Sequence, residues 1–310
     1  MCHGRPYSRT TRMPAAFTII IPTKNRADSV AKLLASIGRL EGLVAALRPE
    51  IIVSDNDSHD ETAQTLETIA KCFPVALRRI KSQNPGKSAA INEALRIAEG
   101  KTLAFLDDDV IVDTQWLVEV EKFCATEKHK AGQGRILLQA PEADDENLQK
   151  LLRRYRTIPY VNFKPSTAEV HSLNGANFVI DRKLLQSLGG FDERLGPGAS
   201  GTSEDVELAQ RIHKAGYRIG YMHDAIVHHS IDRTRLTEEY FKKVHRRQGA
   251  SRSLIKGRGS AHIWYDLCRA SAGYLFHKSF GDERKSYRNK GRVYHYLGML
   301  EAKRRQKAGR

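Results

Sequence analysis

The chain predicts an α/β fold, a mostly parallel sheet with helices on both faces, continued by a basic and mainly helical C-terminal region. Three observations predict it: short β-branched runs alternate with stretches of helical periodicity, a polar cluster follows several of the runs, and the excess positive charge lies in the last quarter of the chain. Residues 17–21 form the first β-branched run, closed by Pro22. Residues 28–37 then carry Val30, Leu33, Leu34 and Ile37 at helical spacing. Residues 51–53 make the second strand, which ends in the polar cluster 54–60 ahead of a helix over 62–70. A strand over 75–80, a helix over 88–98 and a strand over 103–106 continue the alternation, which implies right-handed crossovers. Beyond Gln133 the pattern loosens into a long polar stretch. It holds one strand over 177–180, a glycine-rich loop over 189–201, and a helix over 204–215 that Gly216 closes. From residue 236 onward the chain reads as helical and basic, without a sheet pattern.

At 310 residues, 40% hydrophobic and 28% charged, the chain has the composition of a folded globular protein and lacks the bias of a disordered one. The net charge of +15 is uneven. Residues 231–310 hold 21 Lys and Arg against 7 Asp and Glu, leaving 30 against 29 before them, so the charge shift places a boundary near residue 230. A basic region of this kind suits a nucleic acid, an anionic membrane surface or a polyanionic substrate. Cys2, Cys72, Cys124 and Cys268 have neither zinc-site spacing nor disulfide-scaffold density, which fits reduced thiols in a cytoplasmic protein. Residues 1–16 carry Arg5, Arg9 and Arg12 without the apolar stretch of a secretory signal, and read as a loose arm. No window reaches the ~20 apolar residues that span a bilayer, so membrane contact is expected to be peripheral.

Ligands of open parallel sheets bind beyond the carboxyl ends of the strands, which here are residues 22–26, 54–58 and 107–109. These polar clusters are expected to share one rim. Asp107, Asp108 and Asp109 repel one another, so they suit either open water, in a turn leading to a helix begun at Asp113, or a hard cation such as Mg²⁺ or Mn²⁺. Glu204 and Asp205 likewise admit two readings. Acids favour the first turn of a helix, with Thr202 or Ser203 as cap, and a paired acid behind a glycine-rich loop suits an acceptor-facing base.

Five stretches together carry a resemblance: Ile-Pro-Thr-Lys-Asn-Arg at 21–26, Ile-Val-Ser-Asp-Asn-Asp-Ser at 52–58, Phe-Leu-Asp-Asp-Asp at 105–109, Gly-Gly-Phe-Asp-Glu at 189–193 and Ser-Glu-Asp-Val-Glu-Leu-Ala-Gln-Arg at 203–211. In order and spacing they resemble the inverting family-two nucleotide-sugar glycosyltransferases of the Rossmann-like GT-A fold, over residues 17–250. The resemblance implies a nucleotide-sugar-binding and catalytic domain over 17–230. It implies a divalent cation, Mn²⁺ or Mg²⁺, on Asp107 and Asp109 as the ends of an Asp-x-Asp motif, with Asp108 between them a bystander to the metal on the donor side. It implies Asp205 as the base that takes the acceptor proton, with Glu204 contacting the acceptor or raising its neighbour's proton affinity. Pro22, Thr23, Asn25 or Arg26 on the first loop and Asp55 with Asn56 on the second resemble contacts to a uracil or similar base and its ribose, and Asp57 stands where the family has glycine. Lys87 and Asn92 resemble a further nucleotide-side segment, Lys87 toward a phosphate. His229, six residues before Arg235, matches a third metal ligand, and His228 beside it, following the strand-like run 225–227, points to the other face of that strand. An imidazole suits manganese better than magnesium.

The resemblance implies a nucleotide diphosphate-sugar donor, with a lipid-linked or oligosaccharide acceptor. No Gln-x-x-Arg-Trp segment of the processive synthases occurs, which favours transfer of a single sugar. Arg233, Arg235, Arg246 and Arg247 suit a cationic surface toward a diphosphate or an anionic lipid carrier, and the basic end suits docking on the inner membrane face. Two rivals stand beside this reading. A sugar-nucleotide nucleotidyltransferase would carry a glycine-rich phosphate loop after the first strand, where residues 22–26 contain no glycine. A non-enzymatic RNA- or membrane-binding module would, for RNA, need aromatic recognition strands, and only 7% of residues are aromatic, so nucleic acid is not expected as a partner. Trp264, Tyr265, Tyr274, Phe276, Tyr294 and Tyr296, interleaved with Lys and Arg, suit an interfacial helix or a packed core.

Overall fold

A computed structural model describes residues 17–40, 49–139, 145–255 and 259–308. The expected N-terminal arm lies outside the described residues. The chain divides into two compact units. One comprises Met1–Gln139, Tyr160–Glu193 and Asp205–Ser230, and the other Ala140–Pro159, Arg194–Glu204 and Ile231–Arg310.

The first unit opens with β1 (Phe17–Thr23), α1 (Ala27–Ile37), β2 (Glu50–Asp55), α2 (Thr62–Ala70), β3 (Leu77–Lys81), α3 (Lys87–Ile97) and β4 (Thr102–Leu106). β1 pairs in parallel with β2 and β4, and β2 with β3. β1 is buried along its whole length, as the apolar run of a central parallel strand requires. The two-residue period of a strand sends Ile19, Ile21, Ile51 and Val53 to one face, where they meet Val30, Leu33, Leu34 and Ile37 of α1. Ile20, Ile52, Leu103 and Phe105 go to the other, with Ile91 and Ala94 of α3. On that face Phe105 stacks on Phe178 at 4.5 Å and meets Phe191 edge-on at 5.5 Å.

The second half of the sheet is mixed. β5 (Val110–Val112), β6 (Ala131–Leu138), β7 (Glu169–Val170), β8 (Asn177–Asp181) and β9 (Ile219–His229) complete a nine-stranded sheet ordered β3-β2-β1-β4-β8-β6-β9-β5, with β7 on β9. β4–β8, β8–β6, β9–β5 and β7–β9 are antiparallel, and β6–β9 is parallel. β1 to β4, β6 and β9 therefore run one way and β5, β7 and β8 the other. Between β5 and β6 lies helix α4 (Trp116–Ala125), and α6 (Arg182–Ser187) and α7 (Glu204–Lys214) follow β8.

Three features depart from the sequence reading. No helix begins at Asp113: residues 110–112 pair with β9, and Asp113 accepts from the Gln115 amide in a turn before α4. β6 is a strand despite Gly132, Gln133, Gly134 and Arg135. A Cβ on Gly132 would clash with the Phe123 ring and one on Gly134 with the Asn177 side chain, so close packing requires the glycines that disguise the strand. Its polar residue is satisfied internally: Gln133 donates to the Asn177 carbonyl at 2.9 Å, while Asn177 donates to the Arg135 and Ala225 carbonyls at 3.0 and 2.8 Å and accepts from Trp116 Nε1 at 2.9 Å. β9, expected only over 225–227, spans eleven residues. A register shift opposite Gly134 and Arg135 interrupts its alternation.

The second unit is helical, with α5 (Glu146–Tyr155), α8 (Glu238–Ile255), α9 (Ser260–Ser279) and α10 (Glu283–Ala308). α5 was not expected. Its cap is Asp145, whose carboxylate accepts from the Leu148 amide at 2.9 Å. Tyr155, Phe241, Tyr287 and Tyr294 form an aromatic cluster with ring centroids 5.7 to 6.2 Å apart. α8 and α10 approach backbone to backbone, since a Cβ on Gly249 would overlap the His295 carbonyl and one on Gly298 the Arg246 carbonyl. Among the described residues no helix is long and apolar enough to cross a membrane.

Candidate active site

β1, β2, β4 and β9 run in one direction, so Thr23, Asp55, the 107–109 triplet and His229 all lie at carboxyl ends on one edge of the sheet. Asp108 and Asp109 are buried. Arg26 reaches back from the first loop, and its Nη1 donates to Asp108 Oδ1 at 2.9 Å and to Asp109 Oδ2 at 2.8 Å. Thr23 Oγ1 donates to the second Asp108 oxygen at 2.7 Å. Burial pushes the Asp108 carboxyl up to about 6, against the pull of Arg26 and with the push of Asp109. Burial alone would lower the Arg26 pKa, but Asp108 and Asp109 outweigh it and hold the guanidinium above its ordinary value.

His229 extends the buried alternation Ala225, Val227, His229, while His228 occupies the intervening face. Its Nδ1 lies 2.8 Å from the Ser230 carbonyl, which only an N–H can satisfy, so Nδ1 carries a proton and Nε2 faces Asp109 Oδ1 at 3.2 Å. Burial lowers the His229 pKa, but Asp109 more than offsets it and the net shift is upward. Ligand atoms of Asp107, Asp109 and His229 all lie within 4.8 Å of one another. This donor set fits a divalent cation. The two carboxylates give hard oxygens, and a histidine whose second nitrogen is tied to a backbone carbonyl is oriented for ligation.

Asp107 leads toward Asp205 through two further residues. Lys87, the first residue of α3, bonds Asp107 Oδ1 at 2.6 Å. Gly175 lies against both: a Cβ there would stand 3.0 Å from Lys87 Nζ and 3.6 Å from Asp107 Oδ1. The Gly175 amide donates to Asp205 Oδ2 at 3.0 Å, and the Val206 amide to Oδ1 at 2.7 Å, which fixes the carboxylate's orientation. Asp107, Lys87, Gly175 and Asp205 are thus contiguous. Sequence reasoning missed Gly175, whose signal is the Asn-Gly turn at 174–175 ahead of β8.

The first two loops are stitched together. The Asn25 amide donates to Ser58 Oγ at 2.8 Å, Asn25 Oδ1 accepts from the His59 amide at 2.8 Å, and the Asn56 amide donates to the Thr23 carbonyl at 2.9 Å. Asp55 is fully buried, held by Arg79 through Nε at 3.0 Å and Nη2 at 2.7 Å and by the Ser58 amide at 2.9 Å. Arg79 was also missed, because arginines inside a strand, here Arg78 and Arg79, carry no motif. Asn56 Oδ1 accepts from the Gly86 amide at 3.2 Å. Asp57 adopts φ 57°, the left-handed conformation that glycine takes freely and aspartate tolerates. Pro22 is buried in β1 opposite Ser54.

Asn92 is placed differently. Its amide donates to the Phe191 carbonyl and to Glu193 Oε1, both at 2.9 Å, and its oxygen accepts from the Phe191 amide at 2.9 Å, so it clamps the 191–193 segment. Glu204 belongs to the second unit and is buried. Of the two hydroxyls expected to cap its helix, Thr202 Oγ1 and Ser203 Oγ bond each other at 2.9 Å. Within the second unit Arg233 pairs with Asp145 at 2.6 Å and Arg246 with Glu301 at 3.1 Å, so these two arginines are engaged by acids of their own unit.

Residues 18–189 match the model of the family described as glycosyl transferase family 2. The glycosyltransferase AglE of Haloferax volcanii is 25% identical over 248 residues, which cover 80% of this chain and 73% of AglE. The beta-monoglucosyldiacylglycerol synthase of Trichormus variabilis is 25% identical over 198 residues, 63% of this chain, but the match spans only 41% of the synthase. Among solved structures, the mannosyltransferase PcManGT from Pyrobaculum calidifontis, in complex with GDP-Man and Mn²⁺, superposes with a TM-score of 0.63 at 19% identity, over 94% of this chain and 89% of that one. That likeness is one of fold.

Proposed function

As a member of glycosyl transferase family 2 the chain is a glycosyltransferase, and we propose that it moves one sugar, with inversion, from a nucleotide diphosphate-sugar to a hydroxyl of a lipid-linked or saccharide acceptor. The observation that carries this reading is the line of contacts from Asp109 and His229 through Asp107, Lys87 and Gly175 to Asp205. It sets a cation-binding group beside a carboxylate that can take a proton.

Asp107, Asp109 and His229 would hold Mn²⁺ or Mg²⁺. When bound, such a cation offsets the negative charge that gathers on a departing diphosphate. The chain's own residues do the rest. Lys87, beside Asp107, supplies a second positive charge for a phosphate oxygen. Thr23 and Arg26 orient Asp108 on the donor side. Asp55, held in place by Arg79 and the Ser58 amide, is read together with Asn56 as positioning the second loop against uracil or a similar base and its ribose. Asp205, its orientation fixed by two amides, accepts the proton of the incoming hydroxyl as the new bond forms, and inversion follows from attack opposite the leaving group. Glu204 is read as its acceptor-side companion. The diacylglycerol-linked name of the cyanobacterial relative supports a lipid acceptor, and the basic 231–310 region supports peripheral work on an inner, cytoplasmic membrane face.

The test is a thermal-shift screen of nucleotide diphosphates and their sugars, with Mn²⁺, with Mg²⁺ and with a chelator. One nucleotide is expected to raise the melting temperature only with metal, and at 100 times its Kd the gain is about 2.7 kcal/mol. Asp109→Ala should lose both this shift and transfer, and Asp205→Asn should keep the shift and lose transfer. A flat response across the panel, or normal turnover by Asp205→Asn, would overturn the assignment.

A further inference from the structure

Helix α9 has two apolar faces, and the helical unit of which it is part buries only one. Ile263, Leu267 and Ala270 are buried, together with Asp266, the helix's only acid. Trp264, Tyr265, Leu275, Phe276 and Phe280, the last just past the helix end, stand in the open, with Trp264 at 55%, Phe276 at 58% and Phe280 at 74% exposure. At about 100° per residue these five side chains fall within one arc of roughly 160°, opposite the buried face. Cys268 and Ala272, both exposed, occupy the same arc between the two ends, and an apolar strip of this length is unusual on a protein that meets only water.

The charge around the strip says what covers it. Asp266 is turned inward and accepts from Arg269 at 3.3 Å, so the exposed face of α9 carries no carboxylate; Arg269 lies within the arc and Lys278 at its margin. α10 packs on α9, with Asn289 against Gly273, and exposes Arg284, Lys285, Arg288 and Arg292 on adjoining turns. Trp and Tyr bodies with polar tips, bordered by Lys and Arg, match the boundary between acyl chains and anionic headgroups. We propose that the Trp264–Phe280 face of α9 docks on an anionic lipid surface, its aromatic rings seated at headgroup depth and the neighbouring arginines and lysines on the lipid phosphates. This deepens the peripheral-membrane part of the function proposed above by naming the surface.

The chain itself provides the probe. It has two tryptophans, and Trp116 is fully buried, so a change in tryptophan emission on adding lipid reports Trp264. The full-length protein is titrated with vesicles of phosphatidylcholine alone and of phosphatidylcholine with phosphatidylglycerol. A blue shift with the anionic vesicles, weakened by salt and absent in Trp264→Phe, is expected. A Phe276→Ser/Phe280→Ser double variant should co-sediment with them roughly tenfold less while melting at the wild-type temperature. Unchanged emission with anionic vesicles would overturn the proposal. So would a blue shift that grows with protein concentration without lipid alongside a dimer mass, which would make a second copy the occupant. Sugar transfer to a soluble acceptor is scored separately. Transfer without vesicle binding sinks the docking surface alone, and vesicle binding without transfer sinks the enzymatic reading alone.

Discussion

Asp108 shows how one buried side chain couples the rim to pH. Its carboxyl titrates near 6 in the folded protein, above its unfolded value of 3.8, because burial penalises the charge more than Arg26 and Thr23 relieve it. The folded state therefore binds more protons than the unfolded state between those values. The stability this proton provides is complete below pH 3.8 and is lost as pH rises through about 6. Relative to Asp108→Asn, the metal-free wild type should lose about 1–3 kcal/mol between pH 4 and pH 7, measured by urea denaturation; a constant difference would show that Asp108 does not carry the shift. Asp107, Asp109, Asp205 and His229 are singled out by the motif stretches that carry the family resemblance, since acids at strand and helix ends equally suit turns and helix caps. The partners are not conspicuous. Arg26 meets Asp108 from 82 positions away in sequence, and Gly175 acts through a backbone amide that every residue but proline possesses. Asn92 shows the reverse, a motif position whose amide gives both donors and one acceptor position to the 191–193 segment.

At the scale of elements, legibility follows burial on both faces. β1, β2 and β4 are buried from both sides and show as short apolar runs at 19–21, 51–53 and 103–106. β6 was hidden because its glycines make room for Phe123 and Asn177 and its glutamine is satisfied by other strands, all of which depends on residues remote in sequence. α5 does carry a local signal, Leu148, Leu151, Leu152 and Tyr155 at helical spacing behind the Asp145 cap, set within a stretch that is otherwise polar and charged. The same contest between local preference and packing decides a prediction on α8 and α10. Helix propensity alone says that Gly249→Ala and Gly298→Ala stabilise by about 1 kcal/mol each. The added methyl would overlap a carbonyl of the facing helix, so packing should win and each variant should be destabilised by roughly 1–3 kcal/mol, read as a lower melting temperature. A rise in melting temperature would mean that the helices do not approach so closely.

At the scale of the molecule, residues far apart in sequence reach one edge because six strands share a direction. A nucleotide held there with metal should slow amide hydrogen exchange over 24–27, 56–60, 107–109 and 229–230 together, checked by mass spectrometry with and without Mn²⁺. Protection confined to 107–109 would indicate metal binding without the nucleotide. The alternation of strand and helix that makes this edge possible is written in the first hundred residues. Of the strands that turn back, β8 is legible in the sequence over 177–180, whereas β5 and β7 are three and two residues long and follow from tertiary pairing. The bonds among Asn25, Ser58, His59 and Thr23 have one more result. If these loops seat a nucleobase as proposed, an inhibitor built on one would meet loops already fastened and lose little to induced ordering, so stiffening the inhibitor itself is where affinity remains to be gained.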